Sequence, residues 1–194
     1  MNMQETKSNE QSTQRKVLVA VLSINFAFFI IEMVTGLISK SMGLVADSLD
    51  MLADSFVYGI SLFAVGAAVS RKKKVARLSG YFQLALAFIG FMEVIRRFIG
   101  IEKTPDFKMM IAVSILAFFA NGICLYLLHK SKSKEAHMQA SIIFTSNDVL
   151  INFGVILAGL FVNVLHSNKP DLIIGTVVFV LVIRGALKIL KLGK

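Results

Sequence analysis

The sequence predicts an all-α membrane protein, a six-transmembrane-helix bundle with both termini in the cytoplasm. Hydrophobic residues make up 56% of the 194 positions and charged residues only 17%, which leaves more apolar surface than one soluble core of this length can bury. Six apolar runs are long enough to cross a bilayer, and Lys and Arg are unevenly distributed between them. We therefore assign the net charge of +9 to membrane-flanking segments, and we expect no nucleic-acid partner.

The six predicted spans follow one another with only short polar connections. A helix needs about 20 residues to cross roughly 30 Å of hydrocarbon. The runs that reach this length are residues 17–38, 42–69, 78–100, 108–128, 138–166 and 171–191. The first residues are polar and lack the apolar stretch of a signal peptide. We therefore expect a disordered cytosolic tail at 1–16 and a six-helix transmembrane domain at 17–194.

The distribution of basic residues predicts the orientation. With both termini inside, 15 of the 21 Lys and Arg residues lie on the cytoplasmic side and six on the other. The largest cytoplasmic group is the run at 71–74, expected in the loop after the second span. Because cytoplasmic loops carry an excess of Lys and Arg, this tally favours cytoplasmic termini. A bacterial inner membrane is the default location.

Three acidic residues in the second span are the most unusual feature of the sequence. Asp47, Asp50 and Asp54 stand at i, i+3 and i+7, so they lie along one face of a helix. An Asp near the bilayer centre costs about 2.5–3.5 kcal/mol to insert, and three cost roughly 7–10 kcal/mol together. Apolar residues would remove this cost, so we infer that function requires the carboxylates.

A further carboxylate, Asp148, lies in the fifth span beside Asn147. At about 1.5 Å per residue, Asp50 lies about 12 Å and Asp54 about 18 Å below the outer end of the second span. The fifth span runs in the opposite direction, and the same rise places Asp148 about 15 Å from either face. The three carboxylates are therefore expected at one level, near the middle of the membrane.

Carboxylates that converge in a medium of low dielectric constant repel one another unless cations neutralise them. The available cations are a divalent metal and protons, and a metal that enters must displace the protons already bound. The arrangement therefore predicts a site that exchanges a divalent cation for protons, as an antiporter does. No other cofactor is expected.

Two segments carry a family resemblance. Gly43–Asp54, GLVADSLDMLAD in one-letter code, resembles the second membrane helix of the cation diffusion facilitator family, and Ser146–Val155 is similar to the fifth. Pro170 and Asp171 before the last span also agree. The resemblance covers nearly all of the membrane part and fits the short members without the family's C-terminal cytosolic domain. It implies a divalent transition-metal efflux transporter, which is a secondary active transporter and not an enzyme.

The resemblance also implies a metal site. Carried over residue by residue, Asp50, Asp54 and Asp148 match the family's ligands. The fourth family ligand, a His or Asp, is replaced here by Phe144, which cannot coordinate a metal. The site is then either a three-carboxylate site completed by water or one completed by a substitute donor.

The substitute donors are Asn147, Thr145 and Asn152, of which Asn147 is favoured. Imidazole suits zinc, whereas all-oxygen ligation suits harder ions such as manganese. Zinc also accepts carboxylates, so zinc is expected first, with cobalt, cadmium, manganese or iron as alternatives.

Four further polar residues are expected to line the ion path or to support the site. Asp47 lies on the acidic face one turn outward from Asp50, and Asn152 follows Asp148 by one turn. Asn25 and Glu32 are seven residues apart and so share a face of the first span.

The expected partners are the metal ion, protons and the lipid bilayer, together with a second copy of the chain joined through membrane helices. The alternatives are a membrane-resident metal-binding sensor or interaction protein, and a cation channel. An intramembrane aspartyl protease is disfavoured because Asp148 follows no Gly-x-Gly run and three Asp on one helix exceed what a catalytic dyad needs.

Overall fold

The computed structural model describes residues 3–64, 69–100, 103–131 and 136–192. Over these ranges the backbone is helical apart from short turns. The six helices are α1 (Met3–Ser39), α2 (Met42–Ala64), α3 (Val69–Ile99), α4 (Phe107–Lys130), α5 (Ala136–Leu165) and α6 (Lys169–Leu192). Each coincides with one predicted apolar run, so the all-α expectation is confirmed.

Two helices begin earlier than expected. The first starts at Met3, so the segment 3–16, for which we expected a disordered tail, continues the helix. This segment contains neither Gly nor Pro, so its local sequence offers no helix breaker. The third starts at Val69, and the basic run 71–74 lies in its first turns and not in a loop. Arg and Lys are good helix formers, which is consistent with this position.

The bundle has an apolar exterior, and its interior contains polar side chains beside an apolar core. Large apolar side chains such as Ile99, Val164 and Leu150 are among the most exposed, Ile99 at 82%. Acidic and amide side chains such as Glu32 and Asn25 are fully buried. Water-soluble proteins bury few unpaired charges, whereas helices in lipid turn apolar residues outward and polar residues toward one another.

In the part of the chain that the structure describes, four helical segments are long and apolar enough to cross a membrane, as judged by length and composition. They are Ser12–Ser39, Phe107–Lys130, Phe144–Leu165 and Lys169–Leu187. The other two helices are more polar because α2 contains three aspartates and α3 carries charged residues near both ends. The chain therefore has the features of an integral membrane protein.

Helix α2 lies at the centre of the bundle and contacts each of the other five helices. Around it, α1 packs against α4, α4 against α5, α5 against α6 and α6 against α3. The contact between α3 and α6 is close at Gly90, where an added Cβ would lie 2.1 Å from Cζ of Phe179. Because α2 is surrounded, its acidic residues face protein and not lipid.

A two-residue turn joins α1 to α2. Lys40 adopts a left-handed conformation with φ of 60°, and the N–H of Ser41 donates to the carbonyl of Gly36 at 2.9 Å. This is the Schellman arrangement that commonly ends helices. The carbonyl of Lys40 also accepts a hydrogen bond from Nη1 of Arg97 at 2.8 Å, which ties the end of α3 to the turn.

Candidate metal centre

Asp50, Asp54 and Asp148 line one cavity between α2, α3, α5 and α6. The cavity volume is about 20 Å³, which is room for roughly one water-sized sphere. The other polar residues in its wall are Asn147 and Gln83. The structure therefore brings the three expected carboxylates and the favoured substitute donor to one small space.

The remaining wall of the cavity is apolar and includes the ring of Phe144. The other apolar lining residues are Ile151, Leu181, Val182 and Gly185. Three of these belong to α6, so the last helix closes the cavity although it supplies no charged group to it. An apolar wall lowers the local dielectric constant and strengthens each electrostatic interaction inside.

The three carboxylates are almost completely removed from solvent. Asp54 and Asp148 are each 1% exposed and Asp50 is 7% exposed. Buried carboxylates at such short separation cannot all remain ionised without a compensating cation. The cavity can therefore hold a divalent cation, protons, or one after the other.

The hydroxyl groups of Tyr58 and Thr145 connect Asp54 on α2 to α5. The phenol of Tyr58 donates to Oδ2 of Asp54 at 3.1 Å and lies 2.7 Å from Oγ1 of Thr145. Because the phenol has one proton, the Thr145 hydroxyl is the donor in the second contact. Asn147 lines the cavity and Thr145 does not, which makes Thr145 a weaker substitute ligand than Asn147.

The carboxyl groups of Asp54 and Asp148 also contact each other across the interface of α2 and α5. Two carboxyl groups can form a hydrogen bond only when they share a proton. Oδ2 of Asp148 has no hydrogen-bond partner. This contact links the two helices at the level of the cavity and leaves an acceptor available for a cation.

Asp50 has a neighbour on α3. Nε2 of Gln83 lies 3.5 Å from Oδ1 of Asp50, and the Gln83 carbonyl oxygen has no partner. An amide oxygen is a ligand that zinc and harder divalent ions accept. Gln83 is therefore a second amide donor beside Asn147.

The carboxylates are not already arranged as a metal cage. In the ranges that the structure describes, no three His, Cys, Asp or Glu side chains are grouped so as to hold one metal ion. A zinc–carboxylate bond is about 2.0–2.2 Å long. Coordination by Asp50, Asp54 and Asp148 therefore requires small movements of their side chains toward a shared ion or completion of the shell by amides and water.

The other expected residues lie outside the cavity wall. Asp47 faces α1, where its carboxyl group contacts that of Glu32. Nδ2 of Asn25 donates to the carbonyl of Val21 at 3.0 Å. Nδ2 of Asn152 donates to the carbonyl of Asp148 at 3.0 Å, so Asn152 supports the helix that carries a cavity residue.

Gln83 and Tyr58 were not identified from the sequence, although sequence features could have indicated both. Tyr58 follows Asp54 by four residues and so continues the acidic face of α2 by one turn. Gln83 is an uncharged polar residue in the apolar part of the third span, where a polar side chain is costly unless it has a partner.

The start of α2 is fixed by a residue from the start of α6. Oδ2 of Asp171 accepts from the N–H of Met42 at 2.6 Å, and Oδ1 accepts from the N–H of Gly43 at 2.9 Å and from Oγ of Ser41 at 2.6 Å. These N–H groups have no partner within α2 because they belong to its first turn. The register of Asp50 and Asp54 therefore depends on α6.

A carboxylate on α3 completes this support. Glu93 forms a bidentate ion pair with Arg96, both contacts at 2.7 Å, and accepts from Nε of Arg97 at 3.0 Å. Because Arg97 also binds the α1–α2 turn, the charged end of α3 is joined to the start of α2. This carboxylate is separate from the cavity.

Comparison with known proteins gives consistent matches. The sequence profile of the cation efflux transmembrane domain matches residues 18–193. The zinc transporter ZitB of Pectobacterium atrosepticum is 30% identical over 97% of this chain and 63% of its own length. ZitB proteins of Yersinia pseudotuberculosis and Escherichia coli are 28% and 29% identical, each over 94% of this chain and 62% of their own length.

The chain thus spans a little under two thirds of the length of these relatives. Within that part, the match covers all six helices and every residue that lines the cavity. The chain belongs to the cation efflux family, also called the cation diffusion facilitator family.

Proposed function

We propose that this protein exports a divalent transition-metal cation, zinc first, from the cytosol in exchange for protons that move inward. The observation that carries the proposal is the convergence of Asp50, Asp54 and Asp148 on one buried cavity. A buried site with this negative charge binds a cation in preference to other ligands. The names of the relatives, zinc transporters, support zinc as the substrate.

Asp50, Asp54 and Asp148 are the proposed metal ligands, and Asn147 is the proposed fourth donor. In the metal-free state the carboxyl groups hold protons, as the contact between Asp54 and Asp148 requires. A metal ion that enters the cavity replaces these protons because it neutralises the same carboxylates. Protons from the opposite side then release the metal, which completes antiport.

The proposed setting is a bilayer crossed six times, with both termini in the cytoplasm. The central position of α2, which contacts the other five helices, supports a six-span arrangement in which the acidic residues of α2 are shielded from lipid. The excess of Lys and Arg on the proposed cytoplasmic side supports this orientation. A bacterial inner membrane and a homodimer formed through membrane helices remain part of the proposal.

The test uses purified protein in sealed vesicles that contain a zinc-sensitive dye and a pH-sensitive dye. The wild-type protein should move zinc and protons in opposite directions, with saturation at high zinc. Asp54→Ala and Asp148→Ala should insert normally and lose both signals. Asp106→Asn is the matched control because Asp106 is an exposed acidic residue that caps α4 and lies outside the cavity.

Undiminished exchange by both alanine variants would refute the assignment of the site. Zinc flux that needs no proton gradient and does not saturate would indicate a channel. Tight zinc binding without any flux would indicate a sensor or interaction protein.

A further inference from the structure

A second pair of carboxyl groups lies between α1 and α2. Glu32 and Asp47 are both 0% exposed, and their side chains contact each other. Neither residue lines the metal cavity. The proposed metal site therefore leaves two fully buried acidic residues without a role.

None of the four oxygens of this pair has a hydrogen-bond donor. A buried polar oxygen without a donor is costly, and a buried ionised carboxylate without one is more so. Two carboxyl groups in contact remove this cost when one proton lies between them, because the protonated group then donates to the other. The pair therefore requires a small cation that two oxygen atoms can bind.

A proton fits this requirement better than a metal does. Zinc in proteins takes three or four protein ligands, whereas the contact between α1 and α2 brings only two carboxyl groups together. Ser48, one residue after Asp47, does not supply a ligand or a donor to the pair, because its Oγ donates to the carbonyl of Val45. A shared proton needs only the two carboxyl groups that are present.

The charged groups that act on the pair are all acidic. Asp50 and Asp54 lie further along α2, and Asp148 approaches from α5. On α4, the titratable residue Cys124 contacts Asn25, which lies seven residues before Glu32 on α1. The pair therefore responds to the charge in the metal cavity, whose occupant changes from protons to a dication in the proposed cycle.

The position of the pair along the helices is also informative. Glu32 is seven residues before the end of α1 and Asp47 five residues after the start of α2, so both lie about 8–10 Å from the α1–α2 turn. Asp54 lies about 18 Å from the same turn. In the proposed orientation, the pair stands between the outer face and the metal cavity.

We propose that Glu32 and Asp47 form a proton-binding site, distinct from the metal cavity, that holds one proton between two carboxyl groups and releases it when metal enters the cavity. The O–H bond of the protonated carboxyl breaks, the proton passes to water, and the pair gains one negative charge. A dication that displaces one proton from the cavity raises the charge of the cavity by one, and this increase balances the negative charge that the pair gains. This role rests on the proposed function, since it supplies protons for the exchange.

The test counts the protons that purified protein releases as zinc binds, by calorimetric titration in two buffers of different ionisation enthalpy. Glu32→Gln and Asp47→Asn should each release about one proton fewer per zinc, with zinc affinity within about threefold of wild type. The double variant should lose no more than either single variant, because both residues hold the same proton. Asp106→Asn, at an exposed acidic residue that caps α4, should match wild type.

Infrared absorption of protonated carboxyl groups gives a second measurement that needs no zinc transport. The zinc-free protein should lose one carboxylic component in Glu32→Gln and the same component in Asp47→Asn. The amide in Glu32→Gln can still donate to Asp47, so a purely structural pair would keep its contact and its proton count. The helical content of each variant, measured by circular dichroism, reports folding.

An unchanged proton count and an unchanged infrared component in both variants would overturn the proposal. Loss of zinc binding in either variant, with folding intact, would also contradict it, because the pair would then belong to the metal site. If wild-type protein binds no zinc, the proposed function fails, and the infrared comparison still decides whether the pair holds a proton.

Discussion

Asp171 binds the N–H of Met42 at 2.6 Å and so caps a helix that lies 129 positions away in the chain. Capping residues usually belong to the helix that they cap. Here the carboxylate comes from the first turn of α6, and it faces the positive end of the α2 dipole. The helix that carries Asp50 and Asp54 is thus positioned by the helix that closes the other side of their cavity.

Asp171→Ala should lower the free energy of unfolding by about 3 kcal/mol or more, because it leaves three buried donors without an acceptor and each such donor costs about 1–3 kcal/mol. Urea unfolding in mixed micelles, followed by circular dichroism, measures this change. Asp106→Ala is the control: Asp106 caps α4 within its own sequence and lies at an exposed site, where a cap contributes about 1 kcal/mol. Equal losses in the two variants would contradict the role assigned to Asp171.

Tyr58→Phe should weaken zinc binding by about tenfold, as loss of a residue that orients a metal ligand typically does. The phenol donates to Asp54 and accepts from Thr145, and Phe removes both contacts at nearly constant volume. Calorimetric titration with zinc measures the effect. Tyr81→Phe makes the same chemical change at a residue that is 63% exposed and should bind zinc as wild type does. Indistinguishable titrations for the two variants would refute the orienting role.

Phe144→His should raise zinc affinity by about tenfold and increase the preference for zinc over manganese, because imidazole suits zinc. Phe144 lines the cavity wall, so an imidazole there can reach the same ion as Asp148. Competition titration of zinc against manganese measures both quantities. Phe144→Leu keeps the wall apolar and should show no gain. If the His and Leu variants have the same metal preference, the cavity does not contain the metal.

Gly90→Ala should destabilise the fold by about 1–3 kcal/mol, the usual cost of forcing a methyl group into a filled interior. The new Cβ would overlap the ring of Phe179 and separate α3 from α6. Gly122→Ala adds a methyl group to the middle of α4, where nothing lies within 4 Å. Gly122→Ala is the control and should raise the free energy of unfolding by about 0.5–1 kcal/mol, because Ala has a higher helix propensity than Gly. Unfolding curves that shift in the same direction would contradict the close packing of α3 and α6.

Much of the fold follows from local properties of the sequence. Six apolar runs became six helices because the length of an apolar run and the absence of helix breakers act within a single segment. The ion pair of Glu93 with Arg96 is also local, because a spacing of three residues places both side chains on one face of α3. The start of α1 was not predicted, because polar composition alone does not distinguish a disordered tail from an exposed helix.

The assignment of the acidic residues to separate places depended on packing. Asp47 and Asp54 lie on one face of α2 by their spacing, yet Asp47 meets Glu32 on α1 and Asp54 meets Asp148 on α5. Helical periodicity gives the direction of a side chain relative to its own axis and does not give the neighbour it reaches. Because five helices surround α2, two residues on the same face of α2 can reach different helices and belong to different sites.

The sequence by itself determined that this chain belongs in a bilayer and which of its residues are too costly there to be incidental. Both properties depend on transfer free energy, which each residue carries with it. Only the tertiary structure decided that Gln83 and Tyr58 hold the cavity acids, that Asp171 caps α2, and that Glu32 pairs with Asp47. These contacts join residues from different helices, and their existence depends on how α2 is rotated and seated among its neighbours.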